Sequence, residues 1–80
     1  RVRRWSFPES EAVVWRLIRI GFSAKRKKLI NNLMAGLQKD RTTIGEAVSE
    51  AHIGIDIRAQ ELTIDEWRGL ARAFVSRGLA

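Results

Sequence analysis

The spacing of apolar residues restricts the fold of this chain more than any other feature of its sequence. Between residues 24 and 37, large apolar side chains recur at i, i+1, i+4, i+5 and i+8, namely at Leu29, Ile30, Leu33, Met34 and Leu37. Residues at this spacing share one face of an α-helix, whereas a strand would divide them between its two faces. Three other segments show helical periodicity. The sequence therefore predicts an all-α fold, a small helical bundle of four main helices plus a short helical turn.

The first two helices are predicted in the N-terminal half. The first spans about residues 9–22 and is almost continuously apolar, with only Arg16 and Arg19 as a polar stripe. Such a helix is expected to be nearly surrounded, by its own domain or by a neighbour outside this chain, and we expect its tryptophan to be a packing residue. The second spans about residues 24–37, with Ser23 as its N-cap.

The C-terminal half is predicted to hold two helices separated by a buried connector. The third helix begins at Thr43 and the fourth at Thr63, because each threonine is followed three residues later by a glutamate, as in a capping box. The connector has isoleucine at every second position from Ile53 to Ile57. No partner strand is available, so we expect a buried loop with a short helical turn capped by Asp56. The inward positions are predicted to be Ile44, Ala47, Val48 and Ala51 in the third helix, and Ile64, Trp67, Leu70, Ala71 and Phe74 in the fourth, which Gly78 ends.

Length and composition are those of one small domain. The chain has 80 residues and no cysteine, so neither disulfides nor thiolate metal sites can stabilise it. No apolar run approaches the roughly 20 residues that span a bilayer, so no membrane partner is expected. Residues 1–8 are interpreted as a linker or the end of a preceding domain, and residues 9–80 as the helical domain. Because the chain begins with Arg1 rather than Met, we expect it to be part of a longer protein.

The charge is concentrated in the first half of the chain. Residues 1–41 hold eleven Lys/Arg against three Asp/Glu, a balance of +8, whereas residues 42–80 hold four against six, a balance of −2. Four consecutive cations, residues 25–28, fall in the predicted first turn of the second helix. Cations there oppose the helix dipole, by about 0.3–1 kcal/mol each when exposed. A phosphate would benefit from both the cations and the free backbone N–H groups. This cluster therefore points to a polyanion, and to nucleic acid first.

The predicted helix distributes these polar residues unequally around its axis. Lys25, Lys28 and Asn32 lie opposite the apolar face, with Lys27 and Asn31 on its flank. Arg26 projects into the apolar arc, so its stem is expected to pack on the core. The two asparagines could bond to sugar or phosphate, or could hold the neighbouring loop. We expect the three lysines to face the partner.

Nothing in the sequence indicates catalysis by this chain alone. His52 is the only histidine and is interpreted as an ordinary loop or core residue. The carboxylates fit helix caps and first turns, and no Gly-rich loop is present for a phosphate or dinucleotide. No catalytic residue, metal ligand or cofactor-binding residue is predicted.

Residues 22–33 carry a family resemblance. The segment FSAKRKKLINNL resembles the F-S-x-R-R-K-x-L-x-N-N-L motif in the C-terminal domain of KsgA-type ribosomal RNA small-subunit adenine N6-dimethyltransferases. The matching residues are Phe22, Ser23, Arg26, Lys27, Leu29, Asn31, Asn32 and Leu33. A second segment resembles the family's G-I-D-x-x-R-x-x-x-L-[ST] motif through Gly54, Ile55, Asp56, Arg58, Leu62 and Thr63. Ala24, Lys25 and Ile30 depart from the family pattern, which usually has Gln, Arg and a basic residue there.

The resemblance implies a specific function. These enzymes use S-adenosylmethionine to dimethylate two adjacent adenines of small-subunit ribosomal RNA, and their catalytic motifs lie in an N-terminal domain outside this chain. The chain would then be an inactive fragment, a helical domain that docks the enzyme on the immature small ribosomal subunit. We expect a cytoplasmic monomer whose partners are this RNA and its own N-terminal methyltransferase domain. The implied RNA-binding residues are Lys25, Lys27, Lys28, Arg26, Arg16, Arg19 and Asn32.

Three alternatives remain open from the sequence. The related large-subunit RNA methyltransferases share much of the pattern, although the N-N-L ending favours the small-subunit branch. A helical protein–protein interaction module would explain the apolar first helix. A helix-turn-helix DNA binder would use residues 24–37 for recognition, but Ile30 and Met34 occupy positions that base contacts require to be polar.

Overall fold

The computed structural model describes residues 6–24 and 26–80, and these form an all-α bundle without strands, which confirms the predicted fold class. Along the chain they form α1 (Glu11–Gly21), α2 (Leu29–Leu37), α3 (Arg41–Glu50), a short 3₁₀ turn (Ala59–Glu61) and α4 (Ile64–Ser76). Helix α1 packs on α2 and α4, and α3 packs on the same two helices. The bundle therefore encloses one core, to which every helix contributes.

The core brings α1 close to both α2 and α4. Its most enclosed large side chains are Phe74, Leu17, Leu29, Ile30, Leu33, Ile44, Leu70, Val14 and Val48. Two glycines permit the close approach. A Cβ at Gly21 would lie 2.7 Å from Cη2 of Trp67, and one at Gly36 would overlap Cγ2 of Ile20. Trp67 is only 4% exposed, as predicted.

The start of α3 differs from the prediction, and the start of α4 agrees with it. Asp40 is the N-cap of α3, since its Oδ1 accepts the N–H of Thr43 at 2.8 Å, and the helix begins before Thr43. This hydrogen bond also lowers the pKa of Asp40. In α4 the capping box is present: Thr63 Oγ1 accepts the N–H of Glu66 at 3.2 Å, and Glu66 Oε1 accepts the N–H of Thr63 at 2.9 Å.

Helices α3 and α4 end in the same way. The residue after each C-cap is in the left-handed conformation, with φ of 61° at His52 and 72° at Gly78. The N–H of the next residue then donates to a carbonyl in the last turn, from Ile53 to Val48 and from Leu79 to Phe74. These bonds form Schellman motifs. Gly78 thus ends α4 as predicted, whereas His52 occupies a position that usually favours glycine.

The connector between α3 and α4 is less buried than predicted. Ile53 is buried and Ile57 partly so, but Ile55 is exposed. The 3₁₀ turn confirms the predicted short helical turn, but Asp56 does not cap it. Its N-cap residue is Arg58, whose N–H donates to Glu61 at 2.8 Å.

A buried carboxylate joins the segment before α1 to α4. The Glu9 side chain is 4% exposed and accepts a hydrogen bond from Arg68 Nε at 2.7 Å and another from Arg72 Nη1. These two bonds, of which the one from Arg68 has the larger effect, lower the pKa of Glu9 to about 2. Phe7 adds its ring, whose centroid lies 3.9 Å from the guanidinium carbon of Arg68. Residues 7–9 are therefore fixed against the last helix.

Candidate nucleic-acid interface

The cationic cluster lies in the loop between α1 and α2, which we call the basic loop (residues 23–28). Helix α2 begins at Leu29, not at Ala24, so most of the cluster precedes the helix. Ser23 does not cap α2, because its Oγ donates to the carbonyl of Ile20 at 2.7 Å and thereby satisfies the end of α1. The dipole penalty predicted for four cations in a first turn is thus reduced, since Lys28 is the N-cap of α2 and the other described cations of the cluster precede it. Lys25 lies outside the described residues.

The start of α2 is fixed by a contact with the distant connector. The N–H of Leu29 donates to the carbonyl of Ile57 at 2.9 Å. Beside it, Lys28 Nζ forms an ion pair with Asp56 Oδ1 at 2.8 Å. This hydrogen bond lowers the pKa of Asp56. Among the described residues no side chain caps α2, although a polar side chain accepts an N–H at the start of α1, α3 and α4.

Asn32 lies beneath the basic loop rather than on the solvent face. The prediction of an outward position is wrong, since Asn32 is only 3% exposed. Its Nδ2 donates to the carbonyl of Gly21 at 2.8 Å and to that of Ala24 at 3.0 Å. The Ala24 carbonyl also accepts the N–H of Lys27 at 3.1 Å. Of the two roles left open for this asparagine, the structure places it in the second, in which it holds the loop.

The remaining cations are open to solvent. Arg26 is exposed in the loop, and the prediction that it packs on the core is wrong because the helix that would have turned it inward starts later. Lys27 is exposed beside it, and Arg16 and Arg19 are exposed on α1. None of these four side chains forms an ion pair with another described residue. Residues 12–39 contain seven Lys/Arg and no Asp/Glu, so these four cations have no acidic residue close to them in sequence.

Two aromatic side chains border this cationic surface. Trp15 is 47% exposed and Phe22 is 42% exposed, so the rest of this domain does not surround α1, and the prediction that Trp15 packs in the core is wrong for this domain. Coverage of α1 by a neighbour outside this chain stays a prediction. The ring of Phe22 lies 6.2 Å from that of Trp67 at an interplanar angle of 31°. A helical wheel could have indicated this, because Trp15 precedes Arg19 by four residues and therefore shares its face. Trp5 lies outside the described residues.

Other kinds of site are not found in the described part of the chain. Within residues 6–24 and 26–80, no group of three His, Cys, Asp or Glu side chains is placed to hold a metal ion, and His52 lies exposed at the end of α3. In the same ranges no helix has the length and apolar character to cross a bilayer.

Comparisons with known proteins give one consistent result. Ribosomal RNA small subunit methyltransferase A of Lactiplantibacillus plantarum is 38% identical over 73 residues, which cover 88% of this chain and 25% of that protein. The proteins of the same name from Desulfitobacterium hafniense and Crocosphaera subtropica are 34% and 36% identical, over 84% and 72% of this chain. The chain spans 25% or less of the length of these three relatives. No family model matches the chain, and no solved structure is significantly similar to it.

Proposed function

Because this chain belongs to the ribosomal RNA small subunit methyltransferase A family, as the C-terminal portion of its members, we propose that it is the RNA-docking domain of such an enzyme. In this proposal the enzyme dimethylates two adjacent adenines of small-subunit ribosomal RNA with S-adenosylmethionine. The methyl transfer takes place in an N-terminal domain to which residues 1–8 lead. Residues 9–80 then dock the enzyme, as a cytoplasmic monomer, on the immature small subunit.

One observation carries the docking role. The exposed cations of α1 and the basic loop belong to a stretch without any acidic residue, and four of them have no ion pair within the described structure. Fold stability does not explain such a surface, because unpaired like charges repel one another. Phosphates would neutralise them and release the counterions that the RNA holds.

The cations have different roles in this proposal. Lys27 and Arg26, exposed on the basic loop, contact phosphates directly, and Arg16 and Arg19 extend the contact along α1. Lys28 contributes less, since it shares its charge with Asp56. We also assign Lys25 to the contact set, from the sequence alone.

Asn32 acts indirectly in this proposal. Both of its bonds go to backbone carbonyls of residues 21 and 24, so it sets the position of the basic loop and does not touch the RNA. An RNA helix of A form presents phosphates and 2′-hydroxyls more readily than base edges. A positioned loop of cations suits that backbone, and sequence specificity would come from other parts of the enzyme.

Recognition of DNA by α2 is not favoured. The exposed positions of α2 are Asn31, Ala35 and Gly36, and of these only Asn31 has a side chain that can hydrogen-bond to a base. The inner side of the helix is occupied by core residues. A recognition helix needs several polar side chains in the major groove.

Binding measured across a salt series tests the docking role. The ligands are a structured fragment of small-subunit ribosomal RNA and a DNA duplex of equal length. We expect RNA-preferring binding that weakens steeply with salt, and a double variant, Arg26→Glu with Lys27→Glu, that binds at least about tenfold more weakly with a shallower salt slope.

The matched control is Lys39→Glu, which reverses an exposed charge at the other end of α2. It should leave the affinity within about twofold of the parent, because long-range effects of one charge are screened at physiological salt. A loss of binding free energy in the control that is about half that in the loop variant, in proportion to one charge reversal against two, would show that net charge alone drives binding. That result would contradict a defined docking surface.

A further inference from the structure

We propose that the exposed face of α1 binds unpaired nucleotides of the RNA, with a base stacked on Trp15. The proposal rests on the proposed function, because it takes RNA as the ligand, and it adds the class of RNA structure recognised. The face consists of Trp15, Arg19 and Phe22, which we call the α1 face.

Helical spacing places these three side chains together. They stand at i, i+4 and i+7, so they form one stripe along α1 that is about 10 Å long. Trp15 and Phe22 are each more than two-fifths exposed, and Arg19 lies between them in sequence and is exposed as well. The Phe22 ring rests against Trp67, which belongs to the core, so that end of the stripe is anchored.

The charge around the α1 face favours a polyanion over a protein surface. Arg16 follows Trp15 directly and Arg19 stands one turn further along α1, and neither arginine has an ion pair among the described residues. A partner that covered the indole would also remove water from these two guanidinium groups, and it would need to supply anions for them. A nucleotide supplies both groups in one unit, a flat base for the ring and a phosphate for the arginine.

The α1 face is continuous along the chain with the basic loop, which also favours RNA as its ligand. The α1 face ends at Phe22, and the basic loop begins at the next residue. A strand that leaves a duplex held by Lys27 and Arg26 could therefore continue along α1, since neither the basic loop nor α1 from residue 12 onward carries an acidic residue. The acidic side chain paired with the loop, Asp56, lies on Lys28 at the α2 end.

Stacking on Trp15 requires the strand to be unpaired. In a duplex the faces of the bases are covered by their neighbours, and the deep major groove of A-form RNA does not admit side chains. The α1 face and the basic loop would thus read two adjacent features, an unpaired strand and a phosphate backbone. Their junction would be the preferred ligand.

Two RNA probes and three variants test the inference. The probes are an oligoadenylate of about eight nucleotides and a fully paired RNA hairpin, each titrated against the 80-residue chain. We expect Trp15→Leu to weaken oligoadenylate binding at least about fivefold, because leucine keeps apolar area but has no ring to stack. Trp15→Tyr should retain most of the affinity. Hairpin binding should remain within twofold of the parent in both.

The control is Val75→Ala, which changes a half-exposed apolar residue on α4 and should affect neither probe. Circular dichroism of each variant checks that the bundle is intact. If the parent binds the hairpin while Trp15→Leu binds oligoadenylate as the parent does, this inference is overturned and the docking role stands. If the parent binds neither RNA, both this inference and the docking role are contradicted. Retention of affinity in Trp15→Leu together with a weakened contact to an added methyltransferase domain would identify the face as a protein interface instead.

Discussion

Replacing Asn32 with alanine tests how the basic loop is held. The side chain is buried, and its two hydrogen bonds end on the backbone of the segment that leads from α1 into the loop. Alanine keeps the helix and removes both donors. The substitution should therefore lower both the stability of the bundle and the order of the loop, without altering any charge on the proposed RNA surface.

The expected cost follows from the two acceptors. Each lost hydrogen bond is worth about 0.5–1.5 kcal/mol. The Ala24 carbonyl keeps the N–H of Lys27 as a donor, so the heavier loss falls on the carbonyl of Gly21, which lies in the buried part of the contact. The better helix propensity of alanine returns about 0.5 kcal/mol. We expect the free energy of unfolding to fall by about 0.5–2.5 kcal/mol, in the upper part of that range because the Gly21 acceptor is buried.

Urea denaturation followed by tryptophan fluorescence measures this change, and Asn31→Ala is the control. Asn31 is the exposed neighbour in the same helix, so its replacement should alter the free energy of unfolding by no more than about 0.5 kcal/mol. Amide hydrogen exchange at Lys27 should accelerate in Asn32→Ala only. RNA affinity should also decrease, because the loop loses its fixed position. Equal stability of the two alanine variants would refute the role assigned to Asn32.

Three further predictions concern stability. His52→Gly should raise the free energy of unfolding by about 1 kcal/mol, since φ is 61° there, and a lower urea midpoint would mean that the ring makes stabilising contacts. Gly36→Ala should lower the free energy of unfolding by about 1–2 kcal/mol despite the better helix propensity of alanine, because the new Cβ would meet Ile20. Gly69→Ala has room for its Cβ and should raise the free energy of unfolding by up to about 1 kcal/mol. The opposite order of the two variants would contradict the close packing of α1 on α2. The pKa of Glu9 is lowered to about 2. The contribution of its carboxylate to the free energy of unfolding should therefore be complete above about pH 5 and be lost as the pH falls from there toward 2. The urea midpoints of Glu9→Gln and the parent should therefore converge in acid, and a constant difference at every pH would contradict the assignment.

Local sequence signals predicted most of the fold. The periodicity of Leu29, Ile30 and Leu33 predicted a helix. The capping box at Thr63 predicted the start of α4, and Gly78 predicted its end. Each signal acts within one or two turns, so no knowledge of the tertiary structure was needed. The family resemblance, carried by two short motifs, was likewise confirmed by the comparisons.

The geometry of the basic loop was not predictable in this way. Ser23 could cap either the helix before it or the helix after it, and the bundle selects the first. Lys28 meets Asp56 across 28 residues, and the start of α2 is bonded to Ile57 across the same gap. Contacts at this separation depend on how helices pack. A helical wheel drawn from an early start therefore turned Arg26 inward, although it is exposed. The wheel also placed Asn32 outward, because it could not show that the backbone of residues 21 and 24 covers that side of α2.

The Glu9 cluster has a mechanical consequence. Its contacts with Arg68 and Arg72 join positions 59 and 63 residues apart, from the two ends of the bundle's sequence. A force applied at residue 6 would therefore pass directly into α4, and α1 could not swing away from the bundle until these ion pairs broke. A pull on the segment before α1 would thus be resisted by α4 as well as by the first helix.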